Sequence, residues 1–121
     1  MFTAIARAPD GGVLIHCHAG KERTGLAAAM ILALVGVDRV TINADHVMSD
    51  AYLEPLYEAW LAQVDDAAAR QRGTAHLRVD PDQMLLTLAA IDGQFGGVER
   101  YLLESGVASD DVERIRARFL A

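Results

Sequence analysis

The chain has 121 residues, 52% of them hydrophobic, and a net charge of −6. That is one domain or part of one, with enough apolar material to build a core. The acidic balance leaves no basic stripe for nucleic acid, and a single cysteine excludes internal disulfides and suits a reducing compartment.

Residues 2–8 read as a helix end, Pro9-Asp10-Gly11-Gly12 as a turn, and residues 13–16 as one short apolar strand. No positively charged stretch is followed by a long apolar run, so no signal peptide is seen, and a cytoplasmic location is the expectation. No apolar span reaches the length of a membrane anchor.

The sequence from His16 to Gly25 reads HCHAGKERTG and carries the chemistry. Cys17 stands six positions before Arg23, after the apolar run and before a helix, as a phosphate-binding nucleophile loop requires. The backbone N–H groups of residues 18–23 (His18, Ala19, Gly20, Lys21, Glu22 and Arg23) can curl into a nest around phosphoryl oxygens. The Arg23 guanidinium supplies two parallel charge-assisted hydrogen bonds, and the positive end of the following helix points at the same anion. The helix start, Arg23, Lys21, His16 and His18 all favour a thiolate at Cys17. The Thr24 hydroxyl stands where it can donate to the sulfur and assist its departure. The implied chemistry is a cysteinyl-phosphate that water hydrolyses, with no metal or cofactor, because the loop provides the positive field. A metal site at His16, Cys17 and His18 fails on spacing. A nucleotide-binding Gly-x4-Gly-Lys-Ser/Thr loop would need glycine at position 15 and a hydroxyl at 22, where the chain has Ile15 and Glu22.

Beyond the loop the pattern is helical. Residues 26–37 are apolar nearly all round, which marks a buried helix ending at Gly36. A second helix starts near Thr41, and Leu53, Leu56, Tyr57, Trp60, Leu61 and Val64 form one stripe. Pro55 starts or kinks that helix. Residues 67–74 read as a frayed helix end and a loop. Asp80-Pro81-Asp82-Gln83 reads as a helix start, with Met84, Leu88, Ile91 and Phe95 facing the core. Gly96-Gly97 breaks that helix, a short one follows to Gly106, and Ser109 caps the last, in which Val112, Ile115 and Phe119 face inward. Met30, Met48 and Met84 are expected in the core, and Tyr52, Tyr57 and Trp60 in packing rather than in a pocket wall. His46 and His76 are expected as ordinary polar positions, and Asp45 either orients Arg23 or serves as a cap.

The loop resembles the active-site signature His-Cys-x-x-Gly-Lys-Asp-Arg-Thr-Gly of bacterial protein-tyrosine and lipid phosphatases. The likeness continues through Asn43-Ala44-Asp45-His46 to Tyr52-Leu53, through the stretch from Ile91 to Leu102, and from Gly106-Val107 into the last helix. It implies an α/β, cysteine-phosphatase-like fold. One short strand, the phosphate loop at 16–25 and a mainly helical C-terminal half would be present, with most of the sheet missing. Residues 1–121 would then be a single, partial phosphatase domain, because only sixteen residues precede Cys17.

By the same resemblance the catalytic residues are Cys17, Arg23 and Glu22. The phosphate-binding residues are His18, Ala19, Gly20, Lys21, Arg23 and Thr24, and Lys21 suits anionic head groups. Glu22 replaces the family's aspartate, to which the general-acid role is assigned. The expected substrates are phosphotyrosine in proteins, with phosphoinositide as a second class. The expected partner beyond substrate is a second copy or a complementing chain. The competing reading is an inactive phosphate-binding fragment or subunit that needs a partner to complete its site. A sulfur-transfer or arsenate-reducing enzyme is a third.

Overall fold

A computed structural model describes residues 1–120, apart from the side chains of Ala75 and His76; the expectation for His76 therefore lies outside the described residues. Seven helices are described: α1 (Phe2–Ala6), α2 (Glu22–Leu34), α3 (Arg39–Leu61), α4 (Ala67–Leu77), α5 (Gln83–Phe95), α6 (Val98–Glu104) and α7 (Ser109–Leu120).

The expected α/β class is not what the described residues form, since they contain helices and no strand. Residues 13–16 were expected as a strand, and their side chains do alternate. Val13 and Ile15 pack against the core, while Leu14 is 88% exposed. A strand also needs a ladder, and among the described residues no segment pairs with this stretch. Its approach is fixed at the preceding turn. There the Arg118 guanidinium on α7 donates to the carbonyls of Ala8, Pro9 and Gly11.

The core lies where α2 meets α3, α6 and α7, and where α5 packs on α3 and α6. Ile42, Leu88, Leu102, Val112 and Ile115 are its largest fully enclosed apolar side chains. The near-continuous apolar character of α2 follows from this position, since neighbours surround it on several sides. It ends as read at Gly36, with the Val37 N–H on the Leu32 carbonyl and the Gly36 N–H on the Ala33 carbonyl. Burial of α2 matters to function because its first turn continues directly from the loop.

Several local expectations differ. Residues 67–74 are helical, as part of α4. Asp66 caps that helix by accepting from the N–H groups of Ala68 and Ala69, a signal hidden by the polar, low-contrast face that follows. Pro55 lies inside the 23-residue α3 and so does not start a helix. Its missing N–H costs a bond on a solvent-facing side where water can replace it. Asp80 closes a turn onto Asp82 and Gln83, and α5 begins at Gln83. Ala108 rather than Ser109 accepts the first bonds of α7. Met30 and Met84 are buried as expected, whereas Met48 and Phe119 are exposed.

Candidate active site

The loop runs from the extended segment into α2, and its local chemistry explains its shape. Gly20 adopts a φ of +70°, a left-handed conformation that lets the chain reverse so that successive amides face inward. The Gly25 N–H then donates to the Lys21 carbonyl at 2.7 Å, setting the first turn of α2. Cys17 is a free, half-buried thiol at the mouth of this turn. Its pKa is lowered from 9.0 to about 6. The leading cause is the Thr24 hydroxyl, followed by the backbone N–H of Thr24, with smaller help from the N–H groups of Gly20 and Arg23; partial desolvation works in the opposite direction. The Thr24 Oγ1 atom is buried and faces the sulfur without a fully formed hydrogen bond to any described residue.

The structure therefore gathers Cys17, Gly20, Arg23 and Thr24 around one point. The Arg23 side chain is exposed at the rim and makes no ion pair among the described residues. His18, beside the cysteine, stacks on Trp60 with centroids 6.0 Å apart, and Trp60 in turn lies 5.9 Å from Tyr57. The second half of α3 thus borders the loop, a role the stripe of Tyr57 and Trp60 hides because the same residues also pack. Tyr52 is 75% exposed and stands apart.

Lys21 departs most from its expected place at the phosphate. It is only 4% exposed, and its ammonium reaches groups on α3 and α4. The Nζ atom donates to the Leu77 carbonyl, lies 3.4 Å from Glu22 Oε1 and 3.9 Å from Asp50 Oδ1, and sits over the Tyr57 ring. A buried ammonium needs such partners. Lys21 therefore ties the loop to the α3–α4 pair. Beside it opens a cleft of about 420 Å³ whose lining includes Asp50, Glu54, Glu58, Tyr57 and Arg78. Glu22, in the first turn of α2, is 56% exposed on its side chain and pairs only with Lys21 among the described residues.

Behind the loop lies His46, which the sequence reading expects as an ordinary polar position. His46 on α3 is 5% exposed, and both ring nitrogens are buried without a partner. It presses on Gly25, where an added Cβ would lie 2.6 Å from Nδ1 and 2.9 Å from Cε1. The glycine after Thr24 is thus a requirement of close helix packing. Gly25→Ala should destabilise the protein by about 1–3 kcal/mol despite alanine's better helix propensity, read as a lower midpoint in urea unfolding. An unchanged midpoint would show that the ring moves aside freely. Sequence offered no signal for this contact, because His46 sits on α3 and Gly25 on α2. Asp45 lines the same region but is exposed and bonds neither Arg23 nor a helix end among the described residues.

With that geometry in view, the comparisons with known proteins give the family. The sequence model of the tyrosine phosphatase family matches residues 1–121, so the chain belongs to that family. It is similar to a tyrosine-protein phosphatase of Nostoc commune, with 35% identity over 98% of this chain and 42% of the relative. It is also similar to the triple specificity protein phosphatase PtpB of Mycobacterium tuberculosis, with 30% identity over 89% of this chain and 44% of the relative. The chain thus spans less than half the length of these relatives. Among the described residues no group of His, Cys, Asp and Glu is arranged to hold a metal ion, and no helix is long and apolar enough to cross a membrane.

Proposed function

We propose that this chain carries the nucleophile half of a cysteine-dependent phosphatase that hydrolyses phosphotyrosine in proteins. The observation that carries the reading is Cys17, its pKa lowered to about 6 by Thr24 and by inward backbone N–H groups at the start of α2. In the first step Cys17 Sγ attacks phosphorus, the S–P bond forms, and the ester P–O bond breaks. Arg23 and the amides of residues 18–23 hold the equatorial oxygens. Glu22 gives its proton to the leaving oxygen. In the second step water attacks the cysteinyl-phosphate, its proton passes to Glu22, and Sγ leaves as a thiolate stabilised by Thr24.

Lys21 bears on the choice between the two substrate classes. Its charge is committed to Glu22, Asp50 and the Leu77 carbonyl, and the adjoining cleft carries three carboxylates against one arginine. Such a border repels the further phosphates of an inositol ring and the anionic membrane around it. This favours phosphotyrosine over phosphoinositide.

The second reading is a phosphate-binding subunit completed by another copy or another chain. The unpaired backbone of residues 13–16 favours it. One experiment separates these readings: turnover of a phosphotyrosyl peptide and of a phosphoinositide in vesicles, alongside vanadate binding. Peptide turnover in the isolated chain supports the phosphatase, and vanadate binding without turnover supports the incomplete subunit. A folded protein that does neither overturns both.

A further inference from the structure

The cavity behind the loop connects two buried polar side chains with no fully formed hydrogen bond among the described residues. Its volume is about 200 Å³, and its lining includes Gly20, Thr24, Gly25, Asp45, His46 and Ser49. Thr24 Oγ1 and both nitrogens of His46 are buried and, among the described residues, without a hydrogen-bond partner. A buried imidazole normally satisfies at least one nitrogen, since leaving a buried polar atom without a partner forfeits its hydration with nothing in return. The space is ample for water, which needs only about 10–15 Å³ and two to four polar partners. Thr24 is also the residue whose hydroxyl does most to lower the Cys17 pKa.

We propose that His46 is a positioning residue for the Cys17 thiolate, acting through cavity water on the Thr24 hydroxyl. A neutral imidazole has one N–H donor and one acceptor. Water that receives the His46 N–H can donate to Thr24 Oγ1. The Thr24 O–H is then directed at Sγ, and a hydroxyl that accepts one hydrogen bond donates the next more strongly. Close packing on Gly25 holds the ring at this station, which gives the Thr24-Gly25 pair a joint purpose: one residue donates and the other leaves room for the ring behind it. Around the ring, α2 and the loop contribute only uncharged lining groups to the cavity, and α3 contributes Asp45, the single charged one. The assignment deepens the phosphatase reading and rests on Cys17 being the nucleophile for its catalytic consequence. Its test reads the thiol alone and stands apart from turnover.

The experiment is the pH dependence of Cys17 alkylation by iodoacetamide in the full chain, with circular dichroism to establish folding. His46→Phe keeps the ring's bulk and removes its hydrogen bonds. It should raise the thiol pKa by about one unit, slowing alkylation at pH 6 by about fivefold, and His46→Gln should recover most of that loss. In a Thr24→Val background, His46→Phe should add nothing. An equal shift in both backgrounds, or none in a folded His46→Phe protein, overturns the proposal. If His46→Phe does not fold, the Thr24→Val protein still decides: imidazole nitrogen NMR shifts of His46 should differ from wild type, and identical shifts overturn it.

Discussion

Cys17→Ser should abolish hydrolysis of p-nitrophenyl phosphate, by a factor on the order of 10⁴ or more, while leaving a folded helical protein. Serine has nearly the size of cysteine, and the half-buried site tolerates its hydroxyl, so the loss would be one of nucleophilicity. The alcohol has no anion at neutral pH, whereas a thiol with a pKa of about 6 is about 90% thiolate at pH 7. Alkylation of the wild-type thiol should therefore rise through pH 6 and level off by about pH 7. A thiol at its ordinary 9.0 would still be climbing two units later. The same shift sets a dependence of stability on pH. A folded pKa below the unfolded one favours the folded state fully above pH 9. That contribution shrinks as pH falls from 9 toward 6 and is absent below 6. The stability lost in Cys17→Ser should accordingly be larger at pH 9 than at pH 5.5, measured by urea unfolding. A gap that is the same at both values would mean that the thiolate is not held by Thr24 and the loop amides.

The turn that gathers Cys17 and Thr24 was legible because it is local. Cys17, Arg23, Thr24 and the amides between them lie within eight consecutive residues, and the turn at Gly20 leading into α2 sets their mutual geometry. The helices α2, α5 and α7 were legible for a related reason, since apolar spacing and end residues are properties of short windows. What failed was whatever depends on distant residues. Residues 13–16 have the alternation of a strand, but a strand is defined by its neighbour, and residue pattern cannot supply one. Lys21 reads as a loop cation. Its direction is set by Asp50, Tyr57 and the Leu77 carbonyl, 29 to 56 positions away. His46 reads as a surface polar residue until α3 is laid on Gly25. In each case the missing information was which face of one element meets which face of another.

Glu22→Gln should separate the acid role from a merely electrostatic one through the leaving group. A general acid matters most when the departing oxygen is strongly basic, and it typically contributes 10²–10⁴-fold. Tyrosine's phenol has a pKa of about 10, and the nitro group of p-nitrophenol makes its oxygen a far better leaving group. The variant should thus lose about 100-fold on a phosphotyrosyl peptide and only a few-fold on p-nitrophenyl phosphate. The carboxyl is free enough to serve: it is half exposed and paired only with Lys21, at 3.4 Å, among the described residues. Its extra methylene relative to aspartate adds reach, together with one more rotor to immobilise. Glu22→Asp should therefore retain most of the peptide activity, because the carboxylic acid remains on the same turn of α2. The rival explanation is that Glu22 acts by anchoring Lys21 and, through it, the loop. Breaking that tie would disturb the loop itself, so both substrates would suffer alike and the alkylation profile of Cys17 would move. Equal losses on the two substrates would remove Glu22 from the proton path and leave it as a strut for Lys21.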